Sequence, residues 1–109
     1  MITVNIYYRG RKGSARKFAE EMVSSGMVAA IRSEKGNLRY EYFFPMDDPD
    51  TVLLIDCWED QQSLDLHHSS PIMERIIQLR EKYDLHMKVE RYLSEDRQEN
   101  LRDEKFIRE

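Results

Sequence analysis

The segment Thr51 to Trp58, TVLLIDCW, constrains the fold more than any other part of the chain. Read as a strand, it sends Val52 and Leu54 to one face and Leu53, Ile55 and Cys57 to the other, because successive strand side chains alternate. Both faces of any sheet that contains it must therefore be covered. The preceding segment Asn37 to Phe44, NLRYEYFF, alternates as well, with Leu38, Tyr40, Tyr42 and Phe44 on one side. Between the two lies PMDDPD, a six-residue loop with two prolines, and the pair reads as a hairpin.

The remaining elements follow from changes in hydrophobic period. Ile2 to Arg9 alternates with Ile2, Val4, Ile6 and Tyr8 together, a strand ended by the turn GRKG. Ser14 is the expected N-cap of a helix whose inner face carries Ala15, Phe18, Ala19 and Met22. Ser25-Gly26 interrupts that helix, and Met27 to Ile31 adds a further turn or two before Lys35-Gly36-Asn37. After Trp58, EDQQSLDLHH reads as a short helix. Ser70-Pro71 starts another, with Ile72, Met73, Ile76, Ile77 and Tyr83 expected along one face. Asp84 to Leu93 alternates as a last strand. The order is β-α-β-β-α-β, an α+β plan of the ferredoxin-like kind.

A chain of 109 residues has room for one core. Residues 1–93 are expected to form that domain. Residues 94–109 are expected to be a charged tail, since ten of those sixteen are charged and only Leu101, Phe106 and Ile107 are strongly apolar. The tail is either frayed or an arm that docks on a partner subunit. A net charge of −4 gives no electrostatic reason to expect nucleic acid or anionic lipid as partner. A lone cysteine and a start without a signal-peptide pattern fit a cytoplasmic location, and no apolar run approaches the ~20 residues of a spanning helix. Two helical layers can cover one sheet face only. The other would expose Leu, Ile and Phe side chains, so an isologous homodimer packed sheet on sheet is expected.

The central run KGNLRYEYFFPMDDPDTVLLIDCWEDQQSLDLHHSSPIMERI resembles the antibiotic biosynthesis monooxygenase family. The likeness is carried by Gly36-Asn37 before the tyrosine-bearing strand, by Trp58 before an acidic turn, and by His67 followed by Ser70-Pro71. It implies a dimeric α+β barrel and the oxidation of a small aromatic substrate, quinol- or anthrone-like, by molecular oxygen with no metal or flavin. Heme-degrading relatives of this fold use a histidine on the second helix. Ile77 stands near that place here, so heme degradation is not expected.

Four residues are candidates for the site. His67 lies three residues after Leu64 and shares its side of the helix, and a neutral imidazole can take a proton from an acidic phenol. The resemblance makes His67 the catalytic base. Its neighbour His68 points about 100° away and reads as a helix end, where positive charge is favourable. Two adjacent helical histidines cannot easily grip one ion, and no ligand-spacing motif accompanies them, so no metal is expected. Trp58 ends a strand beside a helix start and would line the pocket, its indole stacking on an aromatic substrate. Tyr40 would orient substrate, its alternative being a half-buried strand aromatic. Asn5, on the opposite side from Val4 and Ile6, either faces solvent or, if buried, positions a polar substrate atom.

The anion of such a substrate reacts directly with oxygen, and the protein supplies base, orientation and a dry cavity. Two other readings stay open: an isomerase of a phosphorylated sugar-like signal, with Arg9, Arg39 or Arg91 at a wetter pocket, and a non-catalytic dimer that binds a small ligand.

Overall fold

The computed structural model describes residues 1–94 and 105–108, and most of the expected tail lies outside the described residues. Strands β1 (Ile2–Arg9), β2 (Asn37–Phe43), β3 (Thr51–Trp58) and β4 (His86–Leu93) form one antiparallel sheet in the order β2-β3-β1-β4. Helices α1 (Ser14–Ser24) and α2 (Met27–Arg32) connect β1 to β2, and α3 (Gln61–His68) and α4 (Pro71–Lys82) connect β3 to β4. This is the ferredoxin-like α+β arrangement that the alternation of periods predicts.

Register decides which side chains meet the helices. Ile2, Val4, Ile6 and Tyr8 of β1 stand opposite Trp58, Asp56, Leu54 and Val52 of β3. Tyr40 and Tyr42 of β2 stand opposite Asp56 and Leu54. These residues share the helix-facing side, because direct cross-strand partners lie on one face. Above them Ala15, Phe18, Ala19 and Met22 of α1, Met27, Val28 and Ile31 of α2, Leu64 of α3, and Ile76 and Leu79 of α4 complete the core. Phe18 sits at its centre, its ring 4.8 Å from Tyr8 and edge-on to Tyr42 and Tyr83.

The other sheet face carries Thr3, Asn5, Tyr7, Leu53, Ile55, Cys57, Phe43 and Tyr92, and none of the described helices α1 to α4 lies over it. The helix layer also leaves β4 largely uncovered. Met87 and Val89 share the face of Tyr8 and Ile6, yet Val89 is 55 % exposed.

Several local expectations change. Leu38 does not continue the face of Tyr40: the ladder shifts register between Asn37 and Arg39, and Leu38 bulges outward, 55 % exposed. Ser14 is the first residue of α1 rather than its cap, because Gly13 (φ 75°) occupies the cap position after a turn of 3-10 helix over Arg11–Gly13. On α4, Leu79 takes the inward place expected of Ile77, which is exposed. From Ile76 a further three residues keep the inner face, whereas one residue turns away by about 100°. Strand β4 begins at His86, after a turn at Asp84 with φ 49°.

Candidate functional site

The chain delivers one compact polar group to the helix-covered face, at the end of β3. Trp58 is the last residue of that strand, and Asp60 then caps α3 by accepting the Ser63 backbone N–H at 2.8 Å. Asp60 is thereby favoured as an anion at a helix N-terminus, and its carboxyl is held below the usual range by that backbone bond. The cap sets the phase of α3, so that Ser63, Leu64 and His67 turn inward while Leu66 and His68 face out. The last turn is closed by Ser70, whose hydroxyl donates to the His67 carbonyl at 2.6 Å.

His67 lies flat against Trp58. The ring centroids are 4.8 Å apart and the planes differ by 28°, a stacked pair. His67 is 3 % exposed and the indole is fully buried. The indole N–H donates to Asp56 at 2.7 Å. On the other side of the imidazole, Nδ1 lies 3.1 and 3.0 Å from the two Glu34 carboxylate oxygens. Glu34 belongs to the turn after α2, which is drawn against α3 by Gly36. That residue has φ 83° and its carbonyl accepts the Glu59 N–H at 2.7 Å. A Cβ at Gly36 would run into the Ser63 side chain, so the close approach requires glycine.

Burial dominates the electrostatics. It pushes the Asp56 carboxyl up to about 7, partly offset by the indole hydrogen bond. Burial lowers the His67 pKa from its ordinary value, and the Glu34 carboxylate opposes that shift. His67 is therefore neutral at pH 7. Tyr8, Tyr40 and Tyr42 are all raised by desolvation, so each phenol keeps its proton. The Arg80 guanidinium reaches in from α4 and donates to the Tyr8 hydroxyl at 2.9 Å.

Of the residues expected at the site, the structure brings His67 and Trp58 into contact and sets Tyr40 on the same sheet face, directly across from Asp56. Tyr40 is buried, with its ring 6.0 Å from Tyr42 and edge-on to it. Asn5 is elsewhere. It lies on the helix-free face between Ile55 and Glu90, half-buried, with its side-chain oxygen enclosed and without a hydrogen-bond partner among the described residues. His68 is exposed at the end of α3, as expected of a helix end.

His67 and Trp58, expected on the wall of one pocket, instead meet directly, with no space between their rings. A third ring between them would need about 7 Å, two carbon contacts of ~3.5 Å, and the observed 4.8 Å admits none. Clefts among the described residues open away from that stack, one of about 420 Å³ reaching Tyr40 beside Arg32, Asn37 and Glu41. One of about 540 Å³ opens on the helix-free side, lined by residues including Tyr7, Arg9, Asp47, His86 and Lys88. One of about 290 Å³ lies between α1 and the end of β2, with Ala19, Val23, Tyr42 and Phe44 on its walls. The Tyr42 hydroxyl is buried with no hydrogen-bond partner among the described residues. No group of three or more His, Cys, Asp or Glu side chains among the described residues could hold a metal ion. No described helix is long and apolar enough to cross a membrane.

Asp56 and Glu34 were not among the expected site residues. For Asp56 the signal was in the alternation: it shares the side of Val52 and Leu54, which the core requires to face the helices. Glu34 gave none, since SEKGN reads as an ordinary charged turn.

The profile of a family described as antibiotic biosynthesis monooxygenase matches residues 1–79. Among solved structures, a candidate antibiotic biosynthesis monooxygenase from Deinococcus radiodurans superposes with a TM-score of 0.77 at 17 % identity, over 89 % of this chain and 95 % of that one. SnoaB, a cofactor-independent oxygenase from Streptomyces nogalater, superposes with a TM-score of 0.73 at 11 % identity, over 89 % and 95 % of the two chains. A protein from Pseudomonas aeruginosa, PA3566, gives 0.73 at 22 % identity, over 86 % and 93 %. No curated protein matches the chain.

Proposed function

The chain belongs to the antibiotic biosynthesis monooxygenase family, and from that premise we propose that it is a cofactor-independent monooxygenase of a small aromatic substrate, quinol- or anthrone-like, with His67 as its base. The observation that carries this reading is the buried imidazole stacked on Trp58; burial lowers its pKa, which favours the neutral form that can accept a proton. The fold shared with a cofactor-independent oxygenase is consistent with it.

The geometry of the stack limits how substrate binds. The lone pair of a neutral imidazole lies in the ring plane, so a phenolic proton is taken at the rim of the stack and not between the rings. The aromatic substrate lies at that rim, between sheet and helices, and the side chains there shift to admit it. Trp58 and Tyr40 are assigned to substrate binding. His67 removes the hydroxyl proton, and the electron-rich anion left behind reacts with molecular oxygen. Enclosure under α3 keeps bulk water from that anion.

Two copies of the chain form the working unit in this account, packed through the helix-free sheet faces. The half-buried Leu53 and Ile55 together with exposed Phe43 and Tyr92 support this, because they make an apolar surface that no described helix covers. Residues 1–93 are assigned as the catalytic domain; the arm expected of residues 94–109 lies mostly outside the described residues. Asn5, on the same face, is assigned to that junction in place of the pocket.

A second reading has one observation in its favour. The wide cleft with Arg9, His86 and Lys88 suits a phosphorylated, sugar-like substrate and hence an isomerase. One assay separates the two: oxygen consumption with quinols and anthrones against conversion of ketose phosphates. Oxygen uptake with aromatic substrates alone is expected. Turnover of ketose phosphates without oxygen uptake would overturn the oxygenase.

A further inference from the structure

The His67 imidazole meets Glu34 through Nδ1 alone, at 3.0 and 3.1 Å, and the Glu34 side chain is 25 % exposed where that of His67 is 4 % exposed. An ionised carboxylate accepts hydrogen bonds and cannot donate them. The nitrogen facing it must therefore carry the hydrogen. In a neutral imidazole the second nitrogen, Nε2, is then the one with the free lone pair. Gly36, through its positive φ and its contact with Ser63, holds the turn bearing Glu34 against α3, so the pairing is built by the backbone.

Resting on the proposed base role of His67, we infer that Glu34 is the positioning residue of the site: it orients the imidazole, fixes the Nδ1–H tautomer, and thereby makes Nε2 the atom that receives the substrate proton. The step balances without an oxidant. The substrate O–H bond breaks, an Nε2–H bond forms, and the electron pair stays on the substrate oxygen. His67 becomes an imidazolium whose charge is compensated by Glu34 across the Nδ1 hydrogen bond. The same proton on Nε2 is returned to the oxygenated product. Glu34 never touches the reacting atoms.

The test uses the full chain with Glu34→Ala and Glu34→Gln variants, nitrogen-15 NMR of the His67 ring, and steady-state kinetics on whichever quinol or anthrone the wild type turns over. The other titratable or charged groups that bear on His67 are His68 and Arg80, and both are retained. Wild type is expected to show Nδ1 protonated and Nε2 free. Glu34→Ala is expected to move the ring toward Nε2–H, to lower kcat about tenfold or more, and to leave KM within about twofold. The acid limb of its pH profile moves to lower pH, since Glu34 raises the pKa of His67. Glu34→Gln offers a neutral acceptor and is expected to restore the tautomer and much of kcat while the limb stays shifted. A wild-type ring protonated on Nε2, or a tautomer indifferent to Glu34→Ala, overturns the inference whatever the rates do. A changed tautomer with unchanged turnover overturns it too, and His67→Ala, which removes the base itself, tells this failure from a failure of the base role.

Discussion

Replacing Asp56 with asparagine is expected to make the fold more stable in alkali and to leave it nearly unchanged in acid. The Asp56 carboxyl is 5 % exposed, and burial raises its pKa from 3.8 to about 7. A raised carboxyl pKa means that the folded state resists ionisation. Its favourable contribution is therefore complete below about 3.8 and is lost as pH rises through about 7. At about 1.36 kcal/mol for each pH step, the interval corresponds to about 4 kcal/mol. Asparagine keeps an oxygen that can accept the Trp58 N–H, now 2.7 Å from Asp56, and stays neutral at every pH. Urea unfolding of both proteins at one fixed concentration, from pH 4 to pH 9, gives the difference in stability directly. It should grow in favour of the variant by about 1.4 kcal/mol per pH step up to neutrality and then level off. A difference that stays flat between pH 4 and pH 8 would refute the argument that desolvation of Asp56 governs this part of the molecule.

Two further perturbations probe the scaffold. Gly36→Ala puts a Cβ into Ser63 at a φ of 83°, and should cost about 2 kcal/mol or more in urea unfolding while loosening the Glu34 turn; an unchanged midpoint would mean the turn is not held as described. Leu53→Arg, on the helix-free face, should weaken self-association at least tenfold in sedimentation equilibrium with the circular dichroism of the wild type retained; equal association would remove that face as the junction.

Most of the fold was legible because strand and helix periods differ and the chain alternates between them cleanly. Alternation separated Val52 and Leu54 from Leu53, Ile55 and Cys57 on β3 without saying which side faces the helices, and Phe18 with Met22 marked the inner face of α1. Leu38 misled because a bulge breaks the period-two rule locally, which no composition signals. Ile77 and Leu79 are equally apolar, and only the exact phase of α4 on the sheet chooses between them. At the site, alternation with Trp58 located Asp56 on the helix side, yet a lone carboxyl in an apolar strand could also have been a surface residue. Glu34 reaches His67 across thirty-three positions of sequence, through a turn conformation that glycine alone permits. Long-range pairings of that sort leave no local pattern. The stack of His67 on Trp58 was expected as two walls of a space; instead the rings meet, since two flat apolar faces in a dry core gain more by contact than by holding a void open.

The role proposed for His67 is to take the proton that starts the reaction. Its most direct test is the initial rate of substrate-dependent oxygen consumption by His67→Ala, with circular dichroism and Trp58 fluorescence verifying a folded chain. A fall of about tenfold or more at neutral pH, on the substrate that wild type oxidises, is the result expected. A folded variant that consumes oxygen at the wild-type rate would contradict it.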